Sequence, residues 1–305
     1  VRNPISALSN ELAIPSPLQS LHFNSTSRSI LIKREDLIHP HISGNKWRKL
    51  KGYISSFQQE GIVTLGGAFS NHLHATAKLC QYLAIPLVCL VRGKEADIQN
   101  PTLSDVKKWG GEIIRIERSQ YRLIRDSGYL PLSFQSKYEN WKFIPEGGLG
   151  PGAFLGVEDL AQEILSQPND KIDIVVLPVG SGTTAAVLRH FLPSSIRVLG
   201  IRVVKDDDLK ARLKLNFPSL SQLSELEIIK GFEWKGFGRY DQKLLNWIDD
   251  NQSKFDLPLD VIYNSKAFYG LVELVKSNQI SRDKNVLYIH TGGLQGNRSV
   301  EYFSR

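Results

Sequence analysis

At 305 residues, with 41% hydrophobic and 23% charged residues, the chain is long enough for two lobes or one large α/β unit, and its composition excludes a disordered, collagenous or disulfide-built protein. The net charge of +7 is scattered, with short clusters such as Lys46, Arg48, Lys49 and Lys51, so no nucleic-acid partner is expected, since such partners call for a concentrated basic face. Apolar runs fall short of the roughly 18 residues that span a bilayer, residues 1–11 lack a signal-peptide core, and Cys80 and Cys89 have neither metal-knuckle nor redox spacing. The expectation is a cytoplasmic protein with buried free thiols, no membrane segment and no metal.

The run Ile30–Ile32 predicts a strand leading into Lys33-Arg34-Glu35-Asp36-Leu37. A helical period covers Ser43–Phe57, where Ser43 or Asn45 can cap and Lys46 falls in the first turn. The helix dipole opposes a lysine there, and Arg48, Lys49 and Lys51 crowd it. Such repulsion favours the neutral amine, the form that condenses with an aldehyde. A solvated basic face is the plainer reading of this segment alone.

Ile62–Leu65 predicts a strand that ends in Gly66-Gly67-Ala68-Phe69-Ser70-Asn71-His72 and opens a helix over Ser70–Leu83. Open α/β sheets hold ligands at such junctions. Ser70 brings a hydroxyl, Asn71 an amide able to bond a phenolic oxygen, and His72 a titratable ring; taken singly, Ser70 or Asn71 reads first as a helix cap. Strands at Leu87–Val91 and Ile113–Ile116 flank a helix over Thr102–Trp109, and residues 118–141 show no clean period. The Pro145–Gly152 cluster of glycine and proline marks a lobe junction. With a second crossing near Lys51–Tyr53, residues 52–151 form a smaller inserted lobe and residues 1–51 with 152–305 the larger one.

After a helix over Phe154–Leu165, the strand Ile172–Leu177 runs into Gly180-Ser181-Gly182-Thr183-Thr184 and another helix. Glycines admit backbone N–H groups to an anion, the helix dipole favours its charge, and Ser181, Thr183 and Thr184 add donors. The loop has neither the lysine of a Walker loop nor dinucleotide spacing, so a phosphate smaller than a nucleotide's is expected. Strands at Val198–Val203 and Val286–Ile289 follow, the last ending in His290-Thr291-Gly292-Gly293. Tyr263 precedes a helix over Ser265–Lys276 capped by Asn264 or Ser265, and core packing is its default reading. This alternation gives the fold class as α/β: two lobes, each an open, mostly parallel twisted sheet covered by helices.

Arg34-Glu35-Asp36, Gly44-Asn45-Lys46 with Arg48-Lys49-Leu50, Gly66-Gly67 with Ser70-Asn71-His72, Gly180-Ser181-Gly182-Thr183 and His290-Thr291-Gly292-Gly293 occur in one order and spacing. Together they resemble the 1-aminocyclopropane-1-carboxylate (ACC) deaminase and D-cysteine desulfhydrase family, tryptophan-synthase-β-like enzymes of fold type II that use pyridoxal 5′-phosphate (PLP). The resemblance runs from about Pro15 to near the end of the chain. It implies that Lys46 carries PLP as a Schiff base, that Ser70 is the nucleophilic or proton-handling serine, and that Asn71 bonds the cofactor's 3′-oxygen. Gly180, Ser181, Gly182, Thr183 and Thr184 would hold the phosphate. Tyr263 would face the substrate, with His72, Lys49 and Tyr240 near the pocket, in a homodimer.

ACC deaminases carry a glutamate after the tyrosine, facing the pyridine nitrogen, where this chain has Asn264. A neutral amide cannot hold that nitrogen protonated as a carboxylate would, so Thr291 is the expected partner. His72 also matches the desulfhydrase side rather than the deaminases' glutamine. The resemblance therefore implies a small amino-acid substrate, D-cysteine foremost, undergoing β-elimination to a 2-oxo acid, ammonia and sulfide. The alternatives are ring opening of ACC and a PLP-binding protein without turnover.

Overall fold

A computed structural model describes residues 10–22, 29–93, 100–234 and 238–299, together with residues 5, 8 and 236. The first part of the chain forms β1 (Leu18–Leu21), β2 (Ile30–Arg34), α1 (Asn45–Ile54), β3 (Gly61–Gly66), α2 (Asn71–Leu83), β4 (Leu87–Arg92), α3 (Pro101–Lys108) and β5 (Glu112–Ile116). Next come α4 (Arg118–Ser127), α5 (Leu132–Lys137), β6 (Trp141–Ile144), α6 (Ala153–Ser166), β7 (Ile174–Val179), α7 (Thr183–Phe191) and β8 (Arg197–Arg202). The chain continues through α8 (Leu209–Asn216), β9 (Glu227–Ile229), α9 (Gln242–Phe255), α10 (Asn264–Lys276) and β10 (Val286–His290), and a 3-10 turn over Leu294–Ser299 follows.

The strands make two sheets. The larger runs β1-β2-β10-β7-β8-β9, parallel except for the antiparallel edge pair β1–β2, and the smaller runs β5-β4-β3-β6, all parallel. This is the α/β class expected. Every residue of β3, β7 and β10 is buried, so these strands read as unbroken apolar runs rather than alternating ones. Apolar side chains of α6 and α7 pack on one face of the large sheet, and those of α10 on the other.

Both sheets reverse their winding at one point. In the large sheet the chain moves outward from β7 to β8 and β9, then returns to place β10 on the other side of β7. In the small sheet it moves from β3 to β4 and β5, then returns to place β6 beside β3. Ligands of open α/β sheets sit in the crevice at such a reversal, outside the carboxyl ends of the strands. The β7–β10 ladder ends at Val176, while β7 stays paired with β8 to Val179. Pro178 suits that divergence: the Val179 carbonyl accepts from Val203 N on the β8 side, so the position without an N–H faces away from β8.

Helix α1 is seated against α6 by close backbone contact and by charge. A Cβ on Gly156 would lie 2.1 Å from the Arg48 carbonyl oxygen. Arg48 Nε and Nη2 each donate to Glu35 at 2.8 Å, and its Nη1 and Nη2 donate to Glu163 at 2.7 and 2.9 Å. Lys33 Nζ donates to Glu163 at 2.6 Å and to the Ser16 carbonyl at 2.8 Å. Two cations and two carboxylates thus close a neutral buried cluster that ties β2 to both helices.

Several expectations need correction. Gly44, not Ser43 or Asn45, stands at the N-cap of α1, and Tyr263, not Asn264 or Ser265, at that of α10. The stretch without a clean period, residues 118–141, holds α4 and α5 and ends at the first residue of β6. Cys80 and Cys89 are free and buried, and burial pushes the Cys89 thiol up to about 12. Among the described residues no helix is long and apolar enough to cross a membrane, and no group of three His, Cys, Asp or Glu could hold a metal.

Candidate active site

The start of α1 lies against the end of β10. Gly44 has φ +65°, and a Cβ there would sit 1.9 Å from the Thr291 carbonyl oxygen, so only glycine permits this approach. Asn45 N donates to that same oxygen at 3.3 Å. Lys46 follows, half-buried, with Nζ 3.1 Å from Asn45 Oδ1. Burial lowers its pKa to about 8, and the Asp260 carboxylate pulls the other way. The sequence suggested repulsion by neighbouring cations instead; of those cations Arg48 is neutralised by Glu35 and Glu163 and Lys51 pairs with Asp159, which leaves only Lys49 beside Lys46, and burial is the larger cause.

Lys49, one turn on, is 2% exposed and bonds the Gly147 carbonyl at 3.1 Å and Ser181 Oγ at 3.4 Å. Its pKa is held well below the usual lysine range, first by burial and then by Lys46. Lys49 therefore links the turn after β6 to the loop after β7. In that loop Ser181 Oγ is 3.2 Å from Thr183 Oγ1. Thr183 and Thr184 are buried in the first turn of α7, and among the described residues Thr184 Oγ1 has no hydrogen-bond partner. Leaving a buried hydroxyl unpaired costs about 1–3 kcal/mol, and an anion at this helix end would relieve it. A Cβ on Gly180 would meet the Tyr263 ring at 3.0 Å, so the aromatic ring lies over the loop. Burial, then Asp260 and Glu146, pushes the Tyr263 phenol up, so it keeps its proton at neutral pH.

Ser70 caps α2, its Oγ accepting from Leu73 N at 3.3 Å. Asn71 Oδ1 accepts from Gln295 Nε2. His72 is 1% exposed, with Nε2 2.8 Å from Thr64 Oγ1. Thr64 Oγ1 donates its one proton to the Ile144 carbonyl at 2.9 Å, so His72 Nε2 must be the donor to it. Nδ1 is then a buried acceptor without a partner among the described residues. Burial, then Lys46 and Lys49, lowers the His72 pKa to about 3. His72 is thus neutral at physiological pH rather than the titrating group its residue type suggested. His74 is also buried, 3.1 Å from Asp105 Oδ2.

Asn264, a rival to Thr291 for the pyridine nitrogen, has its amide spent. Its Nδ2 donates to Asp260 Oδ2 at 2.6 Å and to the Gly292 carbonyl at 2.8 Å, and its Oδ1 accepts from Thr291 N at 3.0 Å. Thr291 Oγ1 makes only a long 3.4 Å contact with Asn264 Oδ1. Asp260 takes Ile262 N at 3.0 Å, Tyr263 N at 2.7 Å and Asn264 N at 2.8 Å. Reading the sequence assigned Asp260 nothing, although an aspartate just ahead of a helix start is a capping signal. Tyr240 is 40% exposed, and no hydrogen bond or ion pair among the described residues ties it to this cluster.

The family model described as "Pyridoxal-phosphate dependent enzyme" matches residues 10–292. The chain belongs to the pyridoxal-phosphate dependent enzymes. Its relatives narrow the family. It is 30% identical over 285 residues, 88% of this chain and 85% of the other, to a Pyrococcus abyssi protein provisionally named 1-aminocyclopropane-1-carboxylate deaminase. It is 28% identical over 312 residues, 93% of this chain and 77% of the other, to the mitochondrial bifunctional D-cysteine desulfhydrase/1-aminocyclopropane-1-carboxylate deaminase of Arabidopsis thaliana. A solved structure titled as that of an ACC deaminase homologue superposes with a TM-score of 0.77 at 26% identity, covering 97% of this chain and 96% of that one. This PLP-dependent enzyme thus has the fold type II architecture and the deaminase/desulfhydrase kinship that the resemblance implied.

Proposed function

We propose that the enzyme removes a β-substituent from a small amino acid, D-cysteine or a close analogue, releasing a 2-oxo acid, ammonia and, from D-cysteine, sulfide. The observation that carries this reading is the enclosed amine of Lys46, lowered to about 8, within a site that Lys49 joins to the Ser181 loop. Lys46 would hold the cofactor aldehyde. Thr183, Thr184, the glycines 180 and 182, Ser181 and Lys49 would hold its phosphate, which gives Thr184 Oγ1 the partner it lacks. Bound PLP supplies an electron sink for charge at the substrate's α-carbon.

The chain's own groups have separable parts. Lys46 is the base placed to take the α-proton, since a pKa near operating pH suits proton transfer. Ser70 Oγ accepts from Leu73 N and keeps its own proton for donation to a leaving group. Tyr263, held as a neutral phenol, can donate but not abstract. Two features support elimination over ring opening: Asn264 replaces a carboxylate, and Asp260, the carboxylate nearby, is committed to backbone N–H groups and to Asn264. This reading sets the site between two lobes, with residues 52–151 proposed as the smaller.

Incubating the PLP-loaded protein with D-cysteine, D-serine and ACC tests the proposal. Pyruvate and sulfide from D-cysteine are expected, with turnover falling about 10²- to 10⁴-fold in Lys46→Ala. Formation of 2-oxobutanoate from ACC by a protein inert to D-cysteine would overturn the elimination reading. Retention of PLP with no product from any amino acid would point to a binding protein.

A further inference from the structure

The 3-10 turn after β10 reaches across to the helices of the small sheet, and its polar side chains form one ordered chain of hydrogen bonds. Arg298 Nη2 donates to Asp105 Oδ2 at 2.6 Å, which fixes the guanidinium beside α3. The same nitrogen donates to Gln295 Oε1 at 3.3 Å, and Thr102 Oγ1 donates to that oxygen at 3.1 Å. A guanidinium has no acceptor, so the amide oxygen of Gln295 is pinned on the Arg298 side and its NH₂ group must face the other way. There it donates to Asn71 Oδ1. Asn71 must then turn its own NH₂ group away from Gln295. Among the described residues Asn71 Nδ2 has no hydrogen-bond partner, and it stands 2.6 Å from where a Cβ on Gly293 would be.

We infer that Gln295 is a positioning residue, which sets the amide of Asn71 so that its NH₂ group rather than its oxygen is presented to the cofactor. The inference rests on the assignment of Asn71 to the cofactor's 3′-oxygen. That oxygen is an acceptor when ionised, so a correctly turned Asn71 stabilises it and a reversed one repels it. The direction of the amide is decided on the far side of the site, by a donor-only guanidinium held on Asp105. Neither Gln295 nor Arg298 needs to touch the cofactor.

The geometry makes an unusual ordering of variants. In Gln295→Glu the new carboxylate accepts from Arg298 and Thr102 and has no proton for Asn71, so Asn71 must turn round and donate to it. Gln295→Leu merely leaves Asn71 free to choose. The near-isosteric change should therefore be the more harmful, the reverse of what a packing role gives. The readout is the pH titration of the visible band of the lysine-bound cofactor, together with cofactor dissociation. Gln295→Glu is expected to move the titration to higher pH and to weaken retention roughly ten- to hundredfold, with Gln295→Leu intermediate.

A negative charge acting directly on the cofactor would also shift the titration, so each change is repeated in Asn71→Ala. If Gln295 acts through Asn71, Gln295→Glu adds little in that background, and the double-mutant cycle shows strong coupling. Equal effects of Gln295→Glu with and without Asn71, or a larger effect of Gln295→Leu than of Gln295→Glu, would overturn the inference alone. A wild-type protein that formed no Lys46-dependent band would overturn both the inference and the functional reading beneath it.

Discussion

Lys46 and Lys49 lie one turn apart on α1, the first half-buried and the second buried, and among the described residues neither pairs with a carboxylate. Burial disfavours the ammonium form of both, and for Lys46 only the Asp260 charge works against that shift. The consequence is kinetic. In cofactor-free enzyme the rate of PLP capture should rise with pH and level off above about 8, because the neutral amine is the nucleophile. Stopped-flow measurement across pH 6–11 checks this, and a rate still climbing toward the ordinary lysine value of 10.5 would contradict the enclosed amine. The sequence made Lys46 stand out, but for the wrong cause. Cation crowding was visible in the string, whereas Glu35 and Glu163, which cancel Arg48, come from β2's exit turn and from α6 and meet it only in the fold.

At the scale of elements, α1 is the part whose placement decides the site, since it carries both lysines and begins against Thr291. Its seat is the Lys33–Glu163–Arg48–Glu35 cluster and the backbone contact with Gly156 on α6. Arg48→Met would leave two buried carboxylates facing each other with Lys33 alone, a loss of about 3–5 kcal/mol. Urea unfolding should show that loss, together with faster release of PLP. Unchanged stability would contradict the seating of α1 by charge. Which helices could be read from sequence follows the same logic of burial. α2, α6 and α10 bury broad apolar faces and announce themselves by period. α4 buries only Tyr121 and Ile124, and α5 buries no residue fully, so each offers a periodic reading too few apolar positions. The helix starts were misplaced at Gly44 and Tyr263 because neither end is capped by its own side chain; backbone approach to Thr291 and the Asp260 carboxylate do that work.

At the scale of the molecule, four strand ends deliver the candidate residues: Ser70 to His72 after β3, the Gly147 turn after β6, Gly180 to Thr184 after β7 and Thr291 after β10. The strand ends were legible because buried parallel strands are apolar runs that stop at glycine. Their convergence was not, because it depends on strand order, and because partners such as Asn264 for Thr291 and Gln295 for Asn71 are distant in sequence. The central claim is that one amine out of two neighbours on α1 holds the cofactor. Borohydride reduction of the PLP-loaded protein, followed by peptide mass mapping, reads this directly: the phosphopyridoxyl group should be found on Lys46 and not on Lys49. A label on Lys49, or spread over exposed lysines with none on Lys46, would contradict the account.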